Sequence, residues 1–339
     1  MKRSARPSHI RRSAAVVATV ALVSLVAACG SSGSSSSAGG GSSSKQYTVA
    51  FVPGITPNPF FDTVYNGMKK EAVKDNIKVN YQGAPKYDPG DQTTVLNSVL
   101  TSRPDFLVVS PDDATALRAP IQRFISAGIP VITVNGRLKD SSGLISEIVA
   151  NNLNGGEVAG DQMAKSVAGS GTVAIINITA GSLSADQRVQ GFQTALTKAA
   201  SKVTIAPVNN AGGTASASQT AARALLLAYP DLKGIFGVTE VNAEGAAAAV
   251  NAAGRQGQVS IIAYDGTPDE VKLLKSGDLG ALIVQDADKM GGLAIQYAND
   301  YLRGKKSDIQ AQVNLPNVVV TTANVDQPDI QAILYTPGS

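Results

Sequence analysis

The sequence predicts an α/β protein with two similar lobes, each a parallel sheet flanked by helices, and a ligand cleft between them. Three observations support this prediction. From Tyr47 onward, short β-branched runs alternate with segments whose apolar residues have helical spacing. The same alternation restarts near Asn151. The length of 339 residues is also sufficient for two domains of ordinary size.

The first 28 residues have the features of a secretory signal. Five basic residues lie within the first twelve, and an apolar stretch then runs to Ala28. This stretch is shorter than the ~20 residues that cross a bilayer. The sequence Val26-Ala27-Ala28-Cys29 is similar to the lipobox of bacterial lipoproteins, so Cys29 is the predicted lipidation site. A buried cysteine on a membrane helix is the alternative.

A tether is predicted over residues 29–45. Residues 30–44 contain only Gly, Ser and one Ala, so they have no side chains that could drive collapse. The segment is therefore predicted to be a flexible connection between a membrane anchor and a globular body.

The first series of elements begins after this tether. A strand is predicted at 47–52, followed by a helix marked by Phe61, Val64 and Met68. Further strands, each separated from the next by a helical segment, are predicted at 77–81, 106–109 and 131–134. A repeated β–α order indicates a parallel sheet with helices on its faces.

The second series has the same order. Helices are predicted around Val158 and around Phe192. The strands of this series are predicted at 173–176, 203–206, 235–238, 259–263 and 282–284.

The composition of the body excludes several function classes. The only histidine is His9 and the only cysteine is Cys29, and both lie in the N-terminal segment. The body therefore lacks Ser-His-Asp and Cys-His catalysis, as well as His- or thiolate-ligated metal sites, and no cofactor is expected. Hydrolysis of glycosides by two carboxylic acids stays open. The formal net charge is +3, but the first twelve residues carry +5, so the rest of the chain carries 3 − 5 = −2. A slightly acidic body argues against a nucleic-acid partner.

Candidate binding residues follow the predicted strands. The clearest case is Val259 to Pro268, where an apolar run ends in Tyr264 and Asp265. Ligands of open parallel sheets bind at the carboxyl ends of the strands. Planar polar groups can hold vicinal sugar hydroxyls, and aromatic rings can cover an apolar sugar face. The candidates are Asn58, Phe60, Phe61, Ser110, Asp112, Asn135, Arg137, Arg188, Thr239, Glu240, Tyr264, Asp265 and Gln285.

Each candidate also has a structural alternative. Asp265, Asn135 and Asp112 could be turn residues. The Phe60–Phe61 pair could belong to the core, and Arg188 could be solvated on a polar helix. The recurrence of such residues at strand ends is what favours binding.

Several motifs resemble those of a known family. They are TPNPFFDTVYNGMKKEA, AGIPVITVN, NNLNGGEVAGD, DQRVQGF and YDGTPD. From Gln46 to about Asp329 the chain resembles the type I periplasmic sugar-binding proteins of ABC transporters. Within that group it is similar to ribose-binding protein, and it is related to the ligand domains of LacI-type repressors.

The resemblance implies two Rossmann-like lobes joined by a three-segment hinge. The three crossings are expected near Ala150, Asp286 and Leu315. The N-terminal lobe would then comprise 46–150 plus 286–314, and the C-terminal lobe 151–285 plus 315–335.

The resemblance also implies roles for individual residues. The positions that match the ligand-binding residues of the family are Asn58, Phe60, Phe61, Arg188, Asp265 and Gln285. Asn135-Gly136-Arg137 stands where ribose binders have Asp-Arg, Ser110 where an Asn is usual, and Thr239-Glu240 where Asn-Asp is usual. These departures concern the ligand, so the expectation is a small sugar or polyol and not ribose in particular.

The expected function is that of a lipid-anchored extracytoplasmic binding protein that delivers its ligand to an ABC importer. It is expected to be a monomer and not an enzyme, with the sugar or polyol, the permease and the membrane as partners. Ligand would close the two lobes about the hinge. The same fold could instead signal to a membrane sensor. A transcriptional regulator would need a DNA-reading motif ahead of the lobes, where this chain has the signal and the tether.

Overall fold

The computed structural model describes residues 45–200 and 202–336. The predicted signal peptide and Cys29 lie outside the described residues, as does the tether up to residue 44. Within the described ranges, no helix is long and apolar enough to cross a membrane.

The first sheet has six strands in the order β12-β5-β4-β3-β1-β2, and all their pairings are parallel. These strands are β1 Tyr47–Val52, β2 Ile77–Tyr81, β3 Phe106–Val109, β4 Val131–Val134, β5 Ser146–Ala150 and β12 Gln312–Leu315. The helices that belong to it are α1 Pro59–Asp75, α2 Pro89–Thr101, α3 Arg118–Ser126 and α9 Ala287–Leu302. Every residue of β3, β4 and β5 is buried, as expected for a sheet covered on both faces.

The second sheet has the order β13-β11-β10-β9-β6-β7, and the short β8 pairs with β6. Its strands are β6 Ser170–Asn177, β7 Lys202–Ile205, β8 Asn209–Asn210, β9 Leu232–Gly237, β10 Ser260–Tyr264, β11 Ala281–Gln285 and β13 Asn317–Val320. Its helices are α4 Asn152–Ser166, α5 Leu183–Ala199, α6 Ala215–Ala228, α7 Glu240–Ala252, α8 Pro268–Ser276 and α10 Pro328–Gln331. Only β13 is antiparallel to its neighbour among the paired strands described here.

The predicted α/β fold class is confirmed, and the nine predicted strands are present with ends shifted by up to three residues. Four further strands, β5, β8, β12 and β13, were not predicted from the sequence. β5 reads SEIVA and β12 reads QVNL, so polar residues interrupt the apolar pattern that marks a strand.

The chain passes between the two sheets three times. It leaves the first sheet after Ala150 for α4, returns after Gln285 to α9, and leaves again between Leu315 and Asn317. The last passage is very short, because only Pro316 separates β12 from β13.

Glycines permit close approach between α1 and α9, between α4 and α5, and between α6 and α7. A Cβ at Gly291 of α9 would overlap the carbonyl oxygen of Val64 in α1, and one at Gly156 of α4 would overlap that of Arg188 in α5. Only a residue without a side chain permits such contact between helix backbones. The contact at Gly156 determines how closely α5, the helix that carries Arg188, packs against α4.

Candidate functional site

A cavity of about 480 Å³, including the part open to solvent, lies where the carboxyl ends of the strands in the two sheets face each other. Nine of the predicted residues line it: Asn58, Phe60, Phe61, Asn135, Arg188, Thr239, Glu240, Asp265 and Gln285. Six lining residues were not predicted: Ile55, Tyr87, Ile178, Ser182, Ser184 and Ala185. The cavity therefore draws on both sheets and on the starts of α1, α5 and α7.

The wall formed by the first lobe begins at Asn58, the N-cap of α1. Its Oδ1 accepts a hydrogen bond from the backbone N–H of Phe61 at 3.1 Å, which fixes the orientation of the amide. Phe60 and Phe61 meet edge to face with their ring centroids 5.1 Å apart. Phe61 also lies 6.5 Å from Phe51 of β1, so it joins the cavity wall to the core.

Arg188 is held from within its own lobe. Its Nε donates to Asn152 Oδ1 at 2.8 Å and its Nη1 donates to the carbonyl of Val238 at 3.0 Å. The guanidinium lies 3.7 Å from the ring centroid of Tyr264, close enough for a cation–π contact. Neither of these hydrogen bonds uses Nη2, and Arg188 is one of the residues that line the cavity. Because α5 begins at Leu183, Arg188 lies in the second turn of that helix, and its side chain is buried and not solvated on a polar face.

Asp265 follows β10 and is almost fully buried, with 3% of its surface exposed. Its Oδ1 accepts from Gln285 Nε2 at 2.6 Å and from the Tyr335 hydroxyl at 2.7 Å. Its φ of 99° is rare for a residue with a side chain and costs about 1–3 kcal/mol. Strain of this kind persists where the surroundings fix the backbone. Both hydrogen bonds are made to Oδ1, so neither donor engages Oδ2.

Two buried oxygen atoms in the cavity wall have no hydrogen-bond partner among the described residues. They are Oδ1 of Asn135, from the first lobe, and Oε1 of Gln285, from the second. Buried polar groups are almost always hydrogen-bonded in native proteins. Both oxygens can only accept, so together they suit a ligand that donates from two sides.

The cavity contains more carboxyl groups than cations. Burial, and then the nearby charge of Asp265, raises the pKa of Glu240 to about 8. Behind the wall, burial raises the pKa of Asp112 to about 9, and neither of its carboxyl oxygens has a hydrogen-bond partner among the described residues. Arg188 is the only Lys or Arg among the residues that line the cavity.

Four predicted residues do not line the cavity. Arg137 points instead to the edge of the first sheet, where it pairs with Glu147 at 3.3 Å and donates to Gln312 at 3.0 Å. Ser110, Asp112 and Tyr264 are buried at the ends of their strands. Tyr264 still serves the site indirectly, because it lies under Arg188 and its hydroxyl donates to Asn317 at 2.8 Å.

The two lobes touch across the cleft. The hydroxyl of Ser184 donates to the carbonyl of Asn135 at 2.6 Å. The backbone N–H of Ala114 donates to the carbonyl of Gly181 at 3.2 Å. The Asn58 amide also donates to the Glu240 carboxylate. The structure therefore represents a closed arrangement of the cleft.

Over residues 45–200 and 202–336, no group of three or more His, Cys, Asp or Glu side chains could hold a metal ion.

The family model that matches this sequence is the periplasmic binding protein domain, over residues 49–306. The ribose import binding protein of Salmonella typhimurium is 30% identical over 272 residues, which cover 80% of this chain and 90% of that protein. The ribose import binding protein of Bacillus subtilis is 25% identical over 307 residues, which cover 91% and 98%.

Solved structures give the same result. An ABC transporter solute-binding protein from Agrobacterium vitis bound with α-D-tagatopyranose has a TM-score of 0.81 and 28% identity, and the match covers 86% of this chain and 99% of that one. A second from Agrobacterium vitis, with bound D-fucose, has a TM-score of 0.81 and 27% identity, with coverages of 85% and 100%.

Proposed function

The chain belongs to the periplasmic sugar-binding proteins of ABC transporters, and we propose that it captures one small sugar or polyol between its lobes and delivers it to an ABC importer. Its relatives are transport proteins, which agrees with the expectation that it is not an enzyme.

The observation that carries the proposal is the pair of buried, unpartnered acceptors, Asn135 Oδ1 and Gln285 Oε1. A molecule with several hydroxyls can donate to both while it accepts from Arg188 and donates to Asp265 Oδ2. Hydrogen bonds to the two charged groups contribute about 1.5–3 kcal/mol each. A ligand without hydroxyls would leave these groups buried and unpaired.

The position of the cavity and its aromatic wall support a single small ring or a short polyol. Fifteen residues drawn from both lobes line the cavity, so a ligand there would be held between the two sheets. Phe60 and Phe61 supply the only aromatic rings of α1 in the wall, and such rings pack against the C–H face of a sugar.

A binding screen tests the proposal. Purified protein is mixed with D-ribose, D-tagatose, D-fucose, D-arabinose, erythritol and xylitol, and its melting temperature is measured. A ligand at 100 times its Kd should stabilise the protein by about 2.7 kcal/mol. Calorimetry should then give one site per chain, and mass spectrometry should recover the ligand unchanged. Turnover of a glycoside would favour the carboxylate-only glycosidase instead.

A matched pair of variants tests the site itself. Gln285→Ala should weaken binding roughly tenfold, because it removes one acceptor and one donor to Asp265. Gln296→Ala is the control, since Gln296 is exposed on α9. Equal affinities of the two variants would remove Gln285 from the binding site.

We also propose that Cys29 carries a lipid that anchors the protein to the outer face of the cytoplasmic membrane. The support comes from the sequence alone: a basic start, an apolar core and Val26-Ala27-Ala28 before the cysteine. An anchor of this kind would keep the binding protein near its permease.

A further inference from the structure

The segment that follows α10 contacts both lobes, although no sequence pattern marked it as part of the site. From its contacts we infer that Tyr335 is a positioning residue for Asp265, and that it links the ligand-binding carboxylate of one lobe to helix α1 of the other. The inference rests on the proposed function, since it assigns Tyr335 a part in ligand affinity.

Within the second lobe, Tyr335 is attached to the turn after β10. Its backbone N–H donates to the Gly266 carbonyl at 2.9 Å, and its hydroxyl donates to Asp265 Oδ1 at 2.7 Å. With the amide of Gln285, this phenol gives Oδ1 two donors and directs the remaining carboxylate oxygen to other partners. Only 3% of Tyr335 is exposed, so no water competes easily for this bond.

The phenol keeps its proton under ordinary conditions. Burial, and then the charge of Asp265, raises the pKa of Tyr335 well above its usual value. The hydroxyl therefore remains a donor to the carboxylate throughout the neutral pH range.

The same segment reaches the first lobe. The Tyr335 ring lies 5.5 Å from that of Phe60 in an edge-to-face contact. The backbone N–H of Thr336 donates to Thr63 Oγ1 at 3.1 Å, and its hydroxyl oxygen accepts from Asn66 Nδ2 at 3.2 Å. The segment thus joins Asp265 in one lobe to α1 in the other, in the closed arrangement.

The first test needs no ligand. The full chain is labelled with ¹³C at its aspartate carboxyl carbons, and the Asp265 resonance is assigned by its loss in Asp265→Ala. Tyr335→Phe should move that resonance, because it removes one donor from Oδ1. Tyr229→Phe, at the end of α6 and away from the cavity lining, should leave it in place. An unmoved resonance in Tyr335→Phe would overturn the inference.

The second test measures affinity, using the sugar or polyol of the six-compound screen that binds the wild type most tightly. Tyr335→Phe should weaken binding about tenfold, and Asp265→Ala should weaken it at least as much. In the Asp265→Ala background, Tyr335→Phe should have little further effect, because a positioning residue acts through the group it positions. Equal losses in both backgrounds would show that Tyr335 acts independently of Asp265.

The two proposals fail in different ways. If none of the six compounds binds the wild type, the proposed function and the role of Tyr335 in affinity both fail, whatever the carboxyl resonance shows. If a compound binds, Asp265→Ala weakens it and Tyr335→Phe does not, the inference about Tyr335 fails while the proposed function stands.

Discussion

Arg188→Ala should weaken ligand binding and also destabilise the ligand-free protein. The side chain is only 3% exposed and makes its contacts, to Asn152, Val238 and Tyr264, inside one lobe. Opening of the cleft therefore does not release it. The variant loses contacts that exist with or without ligand.

The loss of stability can be worked out from those contacts. Two hydrogen bonds from a charged donor contribute about 1.5–3 kcal/mol each, and the cation–π contact about 0.5–2 kcal/mol. Part of this is offset because the variant no longer buries a charge. We expect a net loss of about 3 kcal/mol. At about 2–4 °C for each kcal/mol in a protein of this size class, the melting temperature should fall by about 6–12 °C.

The expected effect on affinity follows from the position of Arg188 in the cavity lining, where its guanidinium could donate to a ligand. One lost hydrogen bond to a charged group corresponds to roughly 10- to 150-fold weaker binding. Arg188→Lys should lie between the wild type and Arg188→Ala, because an ammonium cannot reproduce both bonds and the stacking on Tyr264. Calorimetry with the best-binding compound of the screen gives the affinities, and circular dichroism gives the melting temperatures.

Arg223→Ala is the matched control, since Arg223 is exposed on α6 and should change neither quantity. If Arg188→Ala has the same melting temperature as the wild type, the contacts of Arg188 within its lobe do not stabilise the protein. If its affinity is unchanged, Arg188 does not touch the ligand.

Three further predictions concern other parts of the chain. Phe61→Ala should lower the free energy of unfolding by roughly 3–5 kcal/mol in urea titrations, and Phe60→Ala should chiefly weaken binding in calorimetry; the reverse pattern would exchange their roles. Because burial raises the pKa of Asp112 to about 9, the folded chain retains a proton that the unfolded chain releases near pH 4. The free energy of unfolding should therefore fall as pH rises between these values, by at most about 1.4 kcal/mol per pH unit from this group. Urea titrations at pH 5 and pH 8 should show a smaller fall for Asp112→Asn than for the wild type. Asp161→Asn, at an exposed position, should show the same fall as the wild type. Cys29→Ser should release protein into the medium on cell fractionation, and retention in the membrane with no lipid on the wild type would contradict lipidation.

Much of the fold could be predicted because the sheets are buried on both faces. Strands such as β3 and β4 are then nearly continuous apolar runs, and these are easily distinguished from amphipathic helices. The edge strands are different. β12 and β13 carry exposed or partly exposed residues, so neither has the fully buried apolar pattern that marks β3 and β4.

The candidate site divides in a similar way. The rule that ligands meet the carboxyl ends of strands located Asn58, Asn135, Glu240 and Asp265 at the cavity wall. It could not say where a long side chain points. Arg137 follows β4 as predicted, yet its guanidinium is drawn to Glu147 on the neighbouring strand.

The residues that were missed are of two kinds. Ser182 and Ser184 follow β6 and start α5, so the strand-end rule applied to that strand would have found them. Tyr335 could not have been found in this way, because its partner Asp265 lies seventy residues earlier and no local pattern joins the two.

The late return of the chain to the first sheet has a consequence for biosynthesis. Until residues 287–315 emerge, α1 lacks the helix that packs on it through Gly291, and β5 has one unpaired edge. A nascent chain that has just completed β11 therefore exposes an apolar groove and an open strand edge, both of which favour aggregation. The first sheet can therefore be completed only after the chain has been synthesised through β11 of the second sheet, although most of the first lobe is made earlier.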